Sequence, residues 1–394
     1  MKLYILLVCI AAAITFLMTA VMRRVSLEWK ILTPVRDRDV HATPTPRLGG
    51  VAMATGFALT LVIASTMPYF APVFSHNHAL WAVLAGALGT CILGVIDDVW
   101  ELDWTAKLAG QILIAVMMAY FGVQLISFPI FGITIGSSML SLLATVFVVV
   151  ATMNAVNFVD GLDGLAAGVI GIGATAFFTY SYILTRVSGA QTYATAASLI
   201  MVLLIGICLG FLPHNFHPAS IFMGDSGALT LGTILAGGGI IITGQVDPLM
   251  LGESQALTAV LPILLPVSVV LIPLTDMTMA VIRRTLAGKS PFHADRLHIH
   301  HRLLGIGHSH VGVVLLMYLW AAVITFPMVA LMIYPVTTVA LIAAPAILTA
   351  LVLTYNFLPG LRRRSRHAST AAPHLPALPA TPPRHLDTKE VCDD

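Results

Sequence analysis

Apolar residues along this chain gather in long unbroken stretches, such as Leu142 to Val150, and polar residues are confined to the short segments between them. A bilayer core about 30 Å thick needs about 20 helical residues at 1.5 Å each. Stretches near that length cover 3–21, 49–68, 79–96, 107–122, 139–156, 164–185, 194–212, 227–244, 257–282, 311–330 and 333–357. They predict an all-α polytopic membrane protein of about eleven transmembrane helices. The residue alternation that marks a transmembrane barrel is absent, so a helical bundle is expected. The first stretch is too long for a signal peptide and lacks a small-residue cleavage site, which predicts a retained helix.

The 394 residues are 58% hydrophobic and 10% charged, against roughly 25% charged in an ordinary soluble domain. A soluble enzyme, a disordered chain and a nucleic-acid-binding domain are thereby excluded. The few charges are sorted along the chain. If the segments after the odd-numbered stretches face the cytoplasm, they and the tail hold 18 of the 20 Lys and Arg, leaving only Lys2 and Arg186 outside. The positive-inside rule then puts the N-terminus outside and the C-terminus in the cytoplasm of a cell-membrane protein. Residues 1–360 form the transmembrane domain, with cytoplasmic loops over 22–48, 97–107, 157–163, 213–226 and 283–310. Residues 361–394 open on a basic run, continue rich in Pro and Ala, and are expected to be a disordered tail. Cys9, Cys91 and Cys208 lie in apolar stretches and Cys392 in the tail, a spacing that suits neither a disulfide framework nor zinc.

With this topology Asp97, Asp98, Glu101, Asp103, Asp160, Asp163, Asp225 and Asp295 all fall on the cytoplasmic side. Asp97 and Asp98 end the third stretch, where acids oppose the helix dipole unless something positive is bound, and a hard cation such as Mg²⁺ suits them. Asn154, Asn157, Asp160 and Asp163 recur every three residues and would share a face of any helical turn. Capping the next helix needs one such residue, so four point to a site. Gly224-Asp-Ser-Gly227 opens the eighth stretch; Asp225 suits an N-cap there, and a phosphate suits the same helix terminus. In the last large loop His298, His300 and His301 are flanked by Arg296 and Arg302, which disfavours a metal and favours phosphate. Arg47, just before Gly49-Gly50, is a further candidate phosphate contact. Acids suited to Mg²⁺ and bases suited to phosphate, all at headgroup depth, point to phosphoryl transfer between a nucleotide and a lipid phosphate.

These motifs resemble a known family. The Asp-Asp pair, Asn-x-x-Asn-x-x-Asp-Gly-Leu-Asp-Gly-Leu-Ala, Phe-Met-Gly-Asp-Ser-Gly and His-x-His-His are together similar to the polyprenyl-phosphate N-acetylhexosamine-1-phosphate transferases, glycosyltransferase family 4. The likeness runs from about Asp37 to His310. Pro44-Thr-Pro-Arg-Leu-Gly-Gly50 and the histidine run resemble the WecA/TagO-like branch, which uses UDP-N-acetylglucosamine, more than the branch that uses UDP-N-acetylmuramoyl-pentapeptide. The resemblance implies transfer of GlcNAc-1-phosphate to polyprenyl phosphate with release of UMP, the first membrane step of a cell-envelope polysaccharide. Mg²⁺ is the implied cofactor, with Mn²⁺ as an alternative ion. Asp97 and Asp98 would be the acidic pair near the metal and lipid phosphate, Asp225 the principal Mg²⁺ ligand, and Asp160 and Asp163 would complete the catalytic acids. Lys107, Asn154 and Asn157 would contact phosphates or the acids, and Asn215 and Phe222 would hold and stack the uracil beside Gly161 and Leu162. His298, His300 and His301, with Arg296 and Arg302, would bind the pyrophosphate. A homodimer is a further expectation, from small-residue stretches such as Gly232 to Gly239. Asp276, inside the ninth stretch, is a functional candidate as an intramembrane carboxylate, but pairing with Arg283 or Arg284 accounts for it equally well, and it is left out of the catalytic set. Two other classes stay open: a secondary transporter, and a zinc sensor built on the histidine loop.

Overall fold

A computed structural model describes residues 1–32, 44–75, 78–125, 137–187, 191–243 and 308–355, together with single helical positions such as Ser268, Leu271, Thr275 and Ile282. Among the described residues there is no strand, only an isolated bridge between Leu32 and Pro46. The helices are α1 (Lys2–Glu28), α2 (Gly49–Ser65), α3 (Ala71–Ser75), α4 (Ala79–Trp100), α5 (Trp104–Tyr120), α6 (Ser138–Val159), α7 (Leu165–Val187), α8 (Gln191–Asn215), α9 (Gly224–Thr243), α10 (His310–Ala330) and α11 (Val336–Thr354). Eight of them are long and apolar enough to cross a membrane, and α2 and α5, with 17 residues each, are shorter apolar helices. Ten of the eleven expected spans therefore coincide with described helices. The expected span 257–282 lies almost wholly outside the described residues. Among the described residues the protein is all-helical, with the long apolar helices of a multi-pass membrane protein.

The centre of the bundle is α9, buried at every residue from Ser226 to Thr243. It packs against α4, α6, α8 and α2. Small residues make this crowding feasible: a Cβ on Gly232 would stand 2.6 Å from the Met153 Cα of α6. Its threonines have no water to bond with. Thr230 and Thr233 instead donate back to the carbonyls of Ser226 and Leu229, at 2.6 and 2.8 Å, so no hydroxyl is stranded. On the lipid side the opposite rule holds, and α11 is almost entirely exposed, with Leu341, Ile342 and Leu348 on its surface.

The pairings order the helix directions. Asp98 of α4 and Asn157 of α6 meet Asp225 at the start of α9, so α4 and α6 run toward one face of the bundle and α9 runs away from it. Gly164 before α7 meets Asn215 at the end of α8. Tyr318 of α10 reaches back to the same Gly164 carbonyl, and His308 meets Thr354 at the end of α11. The ends of α4, α6, α8 and α11 and the starts of α2, α5, α7, α9 and α10 thus lie on one face.

Candidate active site

Asp98 reaches across from the last turn of α4 to the first turn of α9. Its two carboxylate oxygens accept the backbone N–H groups of Asp225 and Ser226, at 3.0 and 3.1 Å. It thereby caps α9 from another helix, where a negative charge also meets the positive end of the dipole. Gly224 makes this approach feasible, because its φ is +66° and a Cβ there would collide with the Asp98 carboxylate. The side chain of Asp98 is 1% exposed, with Arg47 4.0 Å away. Two expectations are corrected. Asp225 is not its own helix's cap, and the first amides of α9 are taken by a carboxylate, so they are not open to phosphate.

Relieved of capping, Asp225 turns its carboxylate into the cluster. Asn157 Nδ2 donates to its Oδ1 at 2.8 Å, and the Lys107 ammonium donates to its Oδ2. Lys107 also donates to Asp97 Oδ2 at 2.9 Å, while Asp97 Oδ1 accepts the N–H of Leu102 at 2.8 Å and closes the end of α4. Lys107 sits on the first turn of α5 because the chain reverses within three residues. Glu101 adopts the left-handed region at φ 48°, and Asp103 caps α5 by accepting the Thr105 N–H at 3.1 Å. Thr105 also donates its hydroxyl to Asp103, and these hydrogen bonds hold that exposed carboxyl below the usual carboxylate range.

The turn between α6 and α7 supplies two more acids. Asp160 is pushed up to about 8, first by burial, then by the negative charges of Asp225 and Asp98, with Arg47 opposing. Asp163 is buried, its Oδ2 accepting from His217 Nδ1 at 2.8 Å and from the Ala219 N–H at 3.1 Å. Asn215 accepts the Gly164 N–H and donates to the Ile221 carbonyl, each at 3.0 Å. Its amide is spent on the backbone of the two turns, not turned toward an open cleft. Three backbone bonds stitch the approach to α2 onto the approach to α9: Phe222 N–H to Pro46, Gly49 N–H to Phe222 and Gly50 N–H to Met223.

Of the residues expected from sequence, Asp97, Asp98, Lys107, Asn157, Asp160 and Asp225 come together with Arg47 at one end of the bundle. Asp163 lies beside them on the same turn. Asn154 lies one turn deeper, its amide donating to Gln111 at 2.7 Å and to the Val150 carbonyl at 2.8 Å. Leu162 is in the apolar core, so only its backbone is available at the site, whereas Gly161 is exposed and Phe222 half-buried. Arg296, His298, His300, His301 and Arg302 lie outside the described residues. Three residues were not foreseen from the sequence. Gln111 lies in the apolar stretch of α5 beyond Lys107, Tyr318 belongs to no motif, and His217 stacks on His310 with centroids 4.2 Å apart. One atom each of Asp163, His217 and His310 lies within 4.8 Å of the others. The two imidazoles are face to face, however, and ring lone pairs lie in the ring planes, so the pair does not aim both at one ion.

Five carboxylates therefore crowd one face, and the ion pairs described there use Arg47, Lys107 and, if protonated, His217. This negative excess fits a hard divalent cation on the carboxylates that keep some exposure, Asp97 and Asp225.

An apolar helical bundle with an acidic cluster at one end, bridged by Lys107 and approached by Arg47, is an arrangement that suits a membrane-embedded transferase. The profile of glycosyl transferase family 4 matches residues 80–244, the segment from α4 through α9. The chain is 40% identical over 357 residues to the decaprenyl-phosphate N-acetylglucosaminephosphotransferase of Mycolicibacterium smegmatis, covering 90% of this chain and 87% of the relative. It is 32% identical to the probable undecaprenyl-phosphate N-acetylglucosaminyl 1-phosphate transferase of Bacillus subtilis, over 77% and 78% of the two chains. Identity to the phospho-N-acetylmuramoyl-pentapeptide-transferase of Desulforudis audaxviator is 31%, over 77% and 92% of the two chains. The chain belongs to glycosyl transferase family 4.

Proposed function

We propose that this protein transfers N-acetylglucosamine-1-phosphate from UDP-GlcNAc to a polyprenyl phosphate at the cytoplasmic face of the cell membrane. An oxygen of the lipid phosphate attacks the sugar-bearing phosphorus. The bond to the bridging oxygen breaks, UMP leaves with that electron pair, and polyprenyl-pyrophosphate-GlcNAc remains in the bilayer. The observation that carries the reading is the grip of Lys107 and Asn157 on Asp225 beside Asp97, at the end of a bundle whose 40% identical relative is named for this transfer. The lower identity to the muramoyl-pentapeptide enzyme favours GlcNAc as the sugar.

In this reading Asp225 and Asp97 hold Mg²⁺, which supplies charge neutralisation for the pyrophosphate. Lys107 and Arg47 bind phosphate oxygens, and Lys107 is well placed because it already bridges the acids. Asp98 acts through α9, keeping Asp225 in place. The lipid phosphate is already ionised near neutral pH, so alignment and charge matter more than a strong base. The histidines at 298, 300 and 301 serve as further pyrophosphate donors, as their flanking arginines suggest.

UMP release by purified protein, with polyprenyl phosphate and Mg²⁺, tests the reading against UDP-GlcNAc, UDP-GalNAc and UDP-MurNAc-pentapeptide. Release with UDP-GlcNAc that needs both lipid and metal is expected. Folded protein that releases no UMP from any donor overturns it.

A further inference from the structure

The cluster that grips Asp225 rests on a second polar rung, one helical turn deeper in the bundle. Asn154 Nδ2 donates to Gln111 Oε1 at 2.7 Å, and Gln111 Nε2 lies 3.5 Å from Asn154 Oδ1. Gln111 is 1% exposed although the stretch of α5 around it, 108–119, is otherwise apolar. It follows Lys107 by four residues on α5, and Asn154 precedes Asn157 by three on α6. Each pair therefore shares a helix face. The upper rung, Lys107 and Asn157, holds the two oxygens of Asp225; the lower rung ties α5 directly to α6.

We infer that the Gln111–Asn154 amide pair is a spacer that fixes α5 against α6 and so positions Lys107 and Asn157 on Asp225 for phosphoryl transfer. The inference rests on the proposed function. α5 is a short outer helix with Ile112, Leu113, Val116 and Tyr120 exposed, and it packs chiefly on α4 and α6. Below the Lys107–Asp97 bond its seam with α4 is apolar, Gly110 lying on Leu93 and Gly89 on Ile114. Such contacts are non-directional and, among lipid tails, hold register weakly. An amide pair shielded from water is directional, and stranding either partner is costly, so it sets both height and spacing. Lys107 needs this help, because its stem is flexible and its ammonium must lie between two carboxylates from other helices. Gln111 and Asn154 are accordingly positioning residues.

Gln111→Leu and Asn154→Leu, each purified in nanodiscs, test this together with the exchange Gln111→Asn/Asn154→Gln, which keeps the summed side-chain length and the pairing. The readouts are kcat and KM for UMP release. Each single variant is expected to lose about tenfold or more in kcat, since misplacement by about 1 Å is enough for such a loss. KM for UDP-GlcNAc should stay within about threefold, because no substrate contact is removed. The exchange is expected to recover kcat to within about threefold of the parent, a rescue that a general packing defect does not give. Single variants with parental kcat, or an exchange no more active than either single, overturn the inference. If a leucine variant does not fold, the exchange decides alone. A parent protein that releases no UMP counts against the proposed function, whereas an active parent with indifferent variants counts against the spacer.

Discussion

Asp98 and Asp225 meet at one helix terminus and do opposite work. The first spends both oxygens on backbone N–H groups and is nearly sealed; the second keeps its carboxylate in the cluster, 29% exposed. Asp98→Asn is expected to weaken the cap by about 2 kcal/mol, the scale of hydrogen bonds to a charged group. Asp225→Asn should leave the thermal midpoint close to that of the parent and lower UMP release by about a hundredfold or more. Differential scanning fluorimetry beside the UMP assay separates the two. Equal loss of stability in both variants contradicts this division of labour. Asp160 adds a pH dependence. With its carboxyl pushed up to about 8 by burial and neighbouring acids, the folded protein keeps a proton that the unfolded chain releases near pH 4. Folding stability from this group is therefore full below about pH 4 and falls as pH rises toward about 8. A bound cation offsets the charge that causes the loss. Mg²⁺ should raise the thermal midpoint more at pH 8.5 than at pH 6, and Asp160→Asn should reduce that difference. A parental Mg²⁺ shift that does not change with pH contradicts the assignment.

At the scale of elements, the site depends on two loops being stitched together where α2 and α9 begin. Gly50 lies against Gly227 and Ser226 so closely that a Cβ would stand 2.5 Å from the Ser226 hydroxyl and nearer still to backbone. Gly50→Ala should therefore push α2 off α9, costing about 1–3 kcal/mol as overpacking does, and reduce activity with it. Gly171→Ala is the control. It lies within α7, where alanine is the better helix former, and a Cβ there would meet only the Cys208 Cβ at 3.4 Å, so size-exclusion profile and activity should be parental. An unaffected Gly50→Ala variant contradicts the close-contact account. The helices themselves were legible because each span is a continuous apolar run, the strongest periodicity-free signal a sequence carries. Their ends were less so. The span expected to stop at 96 continues as α4 to Trp100, which puts Asp97 and Asp98 on the last helical turn and able to reach α9. Asp97, Lys107, Asn157 and Asp225 stood out because charged and amide groups are costly in apolar surroundings. Their partners did not. That Asp98 caps a helix beginning 126 residues later, or that Asn154 answers Gln111, depends on which helices become neighbours, and single apolar stretches do not encode that.

For the molecule as a whole, direction is what the fold adds. α4, α6, α8 and α11 end on the site face, and α2, α5, α7, α9 and α10 begin there. Thr243 thus lies on the far face and His310 on the site face, and the span expected over 257–282 lies between them, outside the described residues. Among the described residues, Arg47 and Lys107 lie on the site face, while Lys2 and Arg186 lie at helix ends remote from it. By the positive-inside rule this is the charge distribution expected of a site that faces the cytoplasm, the orientation proposed above, where nucleotide sugars are available. Among the described residues the acids gather at one face and not at mid-depth on broken helices, an arrangement unlike that of a secondary transporter. Orientation is testable without any substrate. In a background whose four cysteines are replaced, Thr66→Cys reports the far face and Glu101→Cys the site face, both at exposed positions. A membrane-impermeant maleimide should label Thr66→Cys in intact cells and Glu101→Cys only after permeabilisation. The reverse pattern would turn the acidic cluster away from its donor, and UDP-GlcNAc could not be the substrate however well the purified protein performed.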